Sequence, residues 1–161
     1  MTDATAHTTS KIFHDLTELR RAITALGPRT TVCVKGVYDL LHAGHLRSFE
    51  NAATLADVLI VAVNDDSAVT QRKGRGRPVM SLRDRVYLIS GLECVDFVTV
   101  YRETSPYALL QALGPTIFAA SHFASMSLDE RTAIEDHTRL VVVPKDGELS
   151  TSMIIERLRQ L

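Results

Sequence analysis

The stretch GVYDLLHAGH, residues 36–45, places two histidines and two glycines within ten positions, directly after a run of valines. A strand that turns into a helix through glycine exposes backbone N–H groups and the positive end of the helix, and both attract an anion. Gly44 would let a phosphate approach the backbone, while the imidazoles of His42 and His45 could donate hydrogen bonds to its oxygens. The stretch therefore predicts a phosphate-binding turn.

Two other interpretations of this histidine pair stay open on chemistry alone. Partly buried histidines often satisfy nearby carbonyl groups and bind no ligand at all. A metal site is the second alternative, but the pair supplies only two ligands, and Asp39 would have to join them. We therefore expect no metal ion coordinated by the protein alone.

The segment QRKGRGRP, residues 71–78, concentrates positive charge in a chain whose formal net charge is −1. Its cations are Arg72, Lys73, Arg75 and Arg77. Its two glycines are expected to make it mobile, which suits a lid that closes over a triphosphate and neutralises its charge. A solvated basic loop or a weak nucleic-acid patch is the alternative, although no aromatic residue is interleaved to stack on bases.

A third segment, PKDGELSTSMII, residues 144–155, carries three hydroxyl side chains where a helix is predicted to begin. Ser150, Thr151 and Ser152 together with the N–H groups of the first turn could hold the β- and γ-phosphates of a nucleotide. Such a cluster by itself is most often only a helix cap.

Composition indicates an ordinary globular protein of 161 residues, with 45% hydrophobic and 23% charged residues. We expect a polar tail at 1–10 and one domain over 11–161. No apolar run approaches the roughly 18 residues of a spanning helix, and no signal peptide is recognisable. Cys33 and Cys94 lie in apolar segments, which favours buried thiols in a cytoplasmic protein. Neither nucleic acid nor a membrane is an expected partner, because the near-neutral charge attracts neither.

The three segments must be positioned by regular secondary structure, and the hydrophobic pattern predicts strands that alternate with helices. Five strands are predicted, at 31–36, 57–64, 95–101, 116–120 and 139–143. Helices are predicted from about 44 to 56 and after the capping residues Asp15, Ser81, Ser105, Ser127 and Ser150. This alternation predicts a doubly wound α/β fold, a five-stranded parallel sheet with helices on both faces. Ligands of such sheets bind at the carboxyl ends of the strands, where GVYDLLHAGH is expected.

The string G-V-Y-D-L-L-H-A-G-H closely resembles the signature of the cytidylyltransferase-like nucleotidyltransferases. The resemblance implies that His42 and His45 contact the nucleotide phosphates and stabilise charge that develops at the α-phosphate. It also implies further contacts with the nucleotide or its partner substrate, at Gly36, Val37, Tyr38, Asp39, Gly44 and Asn64.

The resemblance extends over nearly the whole chain and is greatest to the bacterial heptose 1-phosphate adenylyltransferases. RKGRGRPVMSLRDR is similar to their lid and following helix, which implies Lys73 as a phosphate ligand, Arg85 as a phosphate or acceptor ligand and Arg77 as an acceptor contact. The start KIFHDLTELRRAI resembles the short helix that precedes their core. Ser150, Thr151 and Ser152 resemble the Ser/Thr element that closes the family's active site over the leaving pyrophosphate.

Two departures from the heptose enzymes concern the acceptor and the base. Val34-Lys35 replaces their Thr-Asn pair, so Lys35 is expected to contact an acidic group of the acceptor. Ala120-Ser121-His122-Phe123 replaces their Gly-Gly-Asp-Tyr turn, and His122 and Phe123 are expected near the base or the acceptor. Phe123 is equally compatible with a place in the hydrophobic core. Lys145 lies where glycerol-phosphate cytidylyltransferases carry an arginine.

The resemblance thus implies an enzyme that joins a nucleoside monophosphate from an NTP to a phosphorylated acceptor, with Mg²⁺ bound through the phosphates. ATP and a heptose 1-phosphate are the favoured substrates, and the family suggests a homodimer. CTP with a polyol phosphate or phosphonate is the alternative, which Lys145 and the related lid of phosphoethanolamine cytidylyltransferases support. Two further hypotheses assign the protein to a functional class other than enzymes. It could be a regulatory protein that binds nucleotide without turnover, or a nucleic-acid-binding module that uses the basic segment.

Overall fold

A computed structural model describes residues 10–102, 107–120, 138–143 and 149–161 of the chain. The strands are β1 (Ile12–Phe13), β2 (Thr31–Gly36), β3 (Val58–Asn64), β4 (Phe97–Tyr101), β5 (Ile117–Ala120) and β6 (Arg139–Val142). The helices are α1 (Leu16–Ala25), α2 (Ala43–Ala53), α3 (Asp66–Lys73), α4 (Leu82–Ser90), α5 (Tyr107–Leu113) and α6 (Thr151–Arg159). The strands form one sheet in the order β1-β4-β3-β2-β5-β6, and every neighbouring pair is parallel.

Helices cover both faces of this sheet. On one face Phe49 of α2 and Val86 of α4 pack against the valines of β2 and β3. On the other face Leu19 of α1 and Leu109 of α5 pack with Cys33 of β2. All seven residues of β3 are buried, as expected of a central strand that is covered on both sides. The predicted α/β fold with a parallel sheet is therefore confirmed.

The prediction of five strands is wrong, because the described residues contain a sixth, β1. Ile12 and Phe13 pair with Val98 and Thr99 of β4 at the edge of the sheet. The backbone N–H of Val98 donates to the carbonyl of Lys11 at 2.8 Å, and Lys11 Nζ donates to the carbonyl of Val95 at 2.7 Å. A strand of two residues shows no alternation in the sequence, so only its partner strand reveals it.

Three predicted helix caps are present with the expected geometry. The Asp15 carboxylate accepts from the backbone N–H of Thr17 at 2.7 Å. The hydroxyls of Ser81 and Ser150 each accept from the N–H three residues later, both at 3.2 Å. The predicted caps at Ser105 and Ser127 lie outside the described residues. Among the residues that are described, no helix is both long and apolar enough to cross a membrane.

The basic segment begins inside a helix, which the sequence did not predict. Asp65 caps α3 by accepting from Ala68 N at 2.8 Å, and α3 extends to Lys73. Its buried residues are only Ala68 and Val69, so its apolar periodicity is too weak to predict a helix. Gly74 ends α3 at φ +87°, a backbone conformation that glycine adopts without strain.

Candidate active site

A cavity of about 460 Å³ opens at the carboxyl ends of β2, β3, β4 and β5. Because the chain continues from β2 first to β3 and β4 on one side and then to β5 and β6 on the other, the cavity lies at the topological switch point of the sheet. The starts of α2 and α6 and the end of α3 complete its wall. The fold thus brings three distant segments of the chain to one site.

The turn between β2 and α2 is shaped by Tyr38, which adopts φ +52° although it is not glycine. Its ring packs edge-on against Phe49 and His45, with centroids 5.0 and 5.3 Å away. A Cβ on Gly36 would lie 2.7 Å from Cζ of this ring, so only glycine fits there. The resemblance implied that nucleotide approaches Gly36, and Gly36 does line the cavity, but the Tyr38 ring occupies the space next to its Cα.

The two histidines of the signature lie at the start of α2 and line the cavity. Their rings stack with centroids 3.8 Å apart and an interplanar angle of 22°. His42 is the N-cap residue, but its side chain makes no cap hydrogen bond, while its carbonyl accepts from His45 N at 2.9 Å. Both imidazoles therefore accompany the positive end of α2, an arrangement that can receive the oxygens of a phosphate.

Asp39 holds the basic segment in place. Its carboxylate is 1% exposed and accepts from Arg77 Nε at 2.6 Å, Val79 N at 2.6 Å and Met80 N at 3.0 Å. Asp39 was expected to contact the acceptor; it lines the cavity, and its carboxylate also accepts these three hydrogen bonds. Arg77, expected at the acceptor too, is turned toward Asp39 and does not line the cavity. The expected mobility of residues 71–78 is thus limited where Arg77 is anchored.

Arg85 lies behind the cavity wall instead of in it. Its side chain is fully buried, and the guanidinium donates to the carbonyls of Val37 and Met80 and to the carboxylate of Asp66. Arg85 was expected to bind phosphate or acceptor; it does not line the cavity in the structure, and its guanidinium is engaged by these three partners. Its position indicates a structural role, since it joins α3, α4 and the turn that carries the histidines.

Among the described residues, two lysines and one arginine line the cavity. Lys35, at the end of β2, and Lys73, at the end of α3, were expected there, and Arg72 accompanies them. Burial and, to a lesser extent, the positive charge of Arg72 lower the pKa of Lys35 to about 8. The crowding of arginines around residue 72 was the only signal for Arg72 in the sequence. A site with this charge favours a polyanionic ligand.

The start of α6 supplies the hydroxyl groups that were expected. Ser150, Thr151 and Ser152 all line the cavity. The Ser150 hydroxyl is engaged as the helix cap, because it accepts from Met153 N at 3.2 Å. The hydroxyls of Thr151 and Ser152 and the N–H groups of this first turn are the groups that could contact a phosphate.

Taken together, the cavity gathers most of the residues that the sequence singled out. Those that line it are Lys35, Gly36, Val37, Tyr38, Asp39, His42, Gly44, His45, Asn64, Lys73, Ser150, Thr151 and Ser152. His122, Phe123 and Lys145 lie outside the described residues. Among the described polar residues that line the cavity, sequence reasoning missed Ser48 and Tyr101. Ser48 follows His45 by one helical turn, a spacing that becomes informative only once the helix is known to face a site.

Comparison with known proteins identifies the class to which this fold and site belong. A profile of the cytidylyltransferase-like family matches residues 33–157, which extend from within β2 to within α6. The chain therefore belongs to the cytidylyltransferase-like family.

Two relatives, both named HldE, are similar to most of this chain. The chain is 34% identical over 144 residues to the bifunctional protein HldE of Helicobacter pylori strain ATCC 700392 / 26695, and 35% identical over 148 residues to HldE of Desulfatibacillum aliphaticivorans. These matches cover 88% and 89% of the chain but only 30% of each relative, so the chain spans under a third of their length.

Solved structures share the fold. The lipopolysaccharide core biosynthesis protein from Thermoplasma volcanium superposes with a TM-score of 0.64 and 25% identity, over 74% of this chain and 100% of that one. The pantoate-beta-alanine ligase from Francisella tularensis superposes with a TM-score of 0.61 over 93% of this chain and 78% of that one, and at 13% identity shows the fold alone.

Proposed function

We propose that the protein transfers the adenylyl group of ATP to a sugar 1-phosphate of the heptose 1-phosphate type and releases pyrophosphate. The observation that carries this proposal is the convergence of the stacked histidines, the cations of α3 and the start of α6 on one cavity. The HldE relatives and the lipopolysaccharide core biosynthesis protein support a sugar phosphate as the acceptor.

In the proposed reaction a phosphate oxygen of the acceptor attacks the α-phosphorus of ATP in line. A new P–O bond forms, and the bond between the α-phosphorus and the bridging oxygen breaks, so that pyrophosphate leaves with the electron pair. The attacking phosphate carries its negative charge at neutral pH, so no general base is needed. Catalysis then depends on positioning and on neutralisation of charge.

Each segment has a distinct part in this proposal. His42 and His45 donate hydrogen bonds to the oxygens of the α-phosphate, where they counter the charge that builds up during attack. Lys73 neutralises the triphosphate from the end of α3, and Thr151 and Ser152 hold the departing pyrophosphate at the start of α6.

We propose that Mg²⁺ enters with the nucleotide as the Mg–ATP substrate complex. Over the described ranges, no three residues among His, Cys, Asp and Glu come close enough together to hold a metal ion. The carboxylate of Asp39, which lines the cavity, is engaged by three donors. The phosphate oxygens of the nucleotide are thus the natural ligands of the ion.

The substrates are tested by the release of pyrophosphate from a panel that pairs ATP or CTP with each of three acceptors. Heptose 1-phosphate, glycerol 3-phosphate and 2-hydroxyethylphosphonate represent the sugar, polyol and phosphonate classes. The proposal expects the highest kcat/KM for ATP with heptose 1-phosphate. A preference for CTP with either other acceptor would replace it by the polyol-phosphate or phosphonate function.

The role of the histidines is tested with His45→Asn and a matched exchange at His14, an exposed residue that does not line the cavity. We expect His45→Asn to lower kcat by about 100-fold, the usual cost of losing one donor to developing charge, and His14→Asn to leave it unchanged. Tight binding of ATP by calorimetry, with no turnover of any pair by the unaltered protein, would instead favour a regulatory protein.

A further inference from the structure

The cavity has two sides that belong to opposite faces of the sheet. Tyr38 packs with the cluster that contains Phe49 of α2, on the face that carries the histidines. Cys33 and Tyr101 belong to the cluster on the other face. Because side chains alternate along a strand, Lys35 lies on the same face as Cys33.

Lys35 has polar neighbours on this second side. Ala62 belongs to the same cluster as Cys33, so Asn64, two residues later on β3, also lies on that face. Tyr101 ends β4 beside Asn64 in register. Lys35, Asn64 and Tyr101 thus end three adjacent strands on one face, and all three line the cavity.

The positive charge on this side of the cavity favours the binding of an anion. Lys35 is partly buried, and Arg72 lines the same cavity, so the two positive charges repel each other. Asp39 is the only carboxylate among the described residues that line the cavity, and it is engaged by Arg77 and by two backbone N–H groups. A bound anion would relieve this repulsion and restore part of the solvation that Lys35 loses by burial.

Asn64 offers a second recognition element beside the cations. It is 3% exposed, and its Oδ1 has no hydrogen-bond partner among the described residues. A buried polar atom without a partner carries a desolvation cost that a ligand removes when it donates a hydrogen bond. A hydroxyl group of a sugar is such a donor.

We propose that the acceptor carries a second anionic group besides the phosphate that attacks, and that Lys35 and Arg72 bind this group while Asn64 accepts from a neighbouring hydroxyl. The inference rests on the proposed function and specifies its substrate class, a sugar phosphate with an added carboxylate or phosphate.

The test measures binding, so that it does not depend on turnover. Glucose 1-phosphate, glucuronic acid 1-phosphate and glucose 1,6-bisphosphate are titrated into the full chain by calorimetry without nucleotide. We expect the unaltered protein to bind one or both of the probes with the additional anionic group about tenfold tighter than glucose 1-phosphate, the ratio for one charged hydrogen bond. The comparison of the two anionic probes distinguishes a carboxylate from a phosphate.

Two variants and one control assign the preference to this side of the cavity. Lys35→Asn and Arg72→Ala should each reduce the ratio of affinities for the anionic probes over glucose 1-phosphate to less than about threefold. Arg75→Ala is the control, because it removes the same charge from an exposed residue of the same segment that does not line the cavity. Circular dichroism verifies that each variant is folded.

The inference is overturned if the unaltered protein binds none of the probes or shows no preference, or if Lys35→Asn keeps the full preference. It is also overturned if Arg75→Ala abolishes the preference as completely as Lys35→Asn does. A preference that depends on Lys35, in a protein that turns over no substrate pair, would retain this subsite and reject the proposed reaction, so the two failures are distinguishable.

Discussion

Arg85 provides the sharpest test of how the site is held together. Its buried guanidinium donates to the carbonyl of Val37 at 2.5 Å, to the carbonyl of Met80 at 3.2 Å and to Asp66 Oδ1 at 2.5 Å. Arg85→Met keeps much of the side-chain volume and removes all three hydrogen bonds. The substitution therefore isolates the contribution of the guanidinium from that of packing.

The magnitude follows from what each partner loses. The carbonyls of Val37 and Met80 would each be left without this donor, at a cost of about 1–3 kcal/mol apiece. Asp66 is 48% exposed, so its carboxylate can regain water and adds little. We expect Arg85→Met to lower the free energy of unfolding by about 3–5 kcal/mol, a large part of the roughly 5–15 kcal/mol typical of a domain.

Urea unfolding followed by circular dichroism measures this loss. Arg83→Met is the matched control, since Arg83 is exposed on the same helix, and we expect it to change stability by less than about 0.5 kcal/mol. Arg85→Lys should lie between the two, because an ammonium keeps the charge but not the planar fork. A loss below about 1 kcal/mol for Arg85→Met, or one equal to that of Arg83→Met, would refute the assigned role.

Three further predictions follow from the same site. Burial lowers the pKa of Lys35 to about 8, so between pH 8 and 10.5 the unfolded chain binds more protons than the folded one. Lys35→Met should therefore raise the free energy of unfolding by about 1–3 kcal/mol below pH 8, and this gain should shrink as the pH rises toward 10. A gain in melting temperature that does not vary with pH would contradict this. Gly36→Ala should lower stability by about 1–3 kcal/mol, because the new Cβ meets the Tyr38 ring, and should cost little in a Tyr38→Ala background; equal losses in both backgrounds by thermal unfolding would exclude the clash. Burial raises the pKa of the Cys33 thiol to about 12, so a thiol reagent at pH 8 should label Cys94 in the native protein and Cys33 only after denaturation, as mass spectrometry would show.

Local patterns in the sequence predicted most of the described strands and helices, though not β1 or α3, and the family resemblance implied the reaction class. The β-branched runs around Val32 and Ile60 predicted central strands, and the side chains of Asp15, Ser81 and Ser150 predicted where helices begin. These are local properties, because a cap or an alternation depends on residues only a few positions apart. The signature around His42 and His45 indicated the nucleotidyltransferase family, which the family profile confirmed.

The contacts that the charged residues make depend on the tertiary structure. Asp39, Arg77 and Arg85 are the types of residue that bind phosphate or acceptor, but the fold pairs Asp39 with Arg77 and encloses Arg85 between two carbonyls and Asp66. The same fold brings Arg72 beside Lys35, 37 positions earlier in the chain. Sequence spacing cannot show whether a charge faces an internal partner or a cavity, because that depends on which distant elements pack together and how much water they exclude.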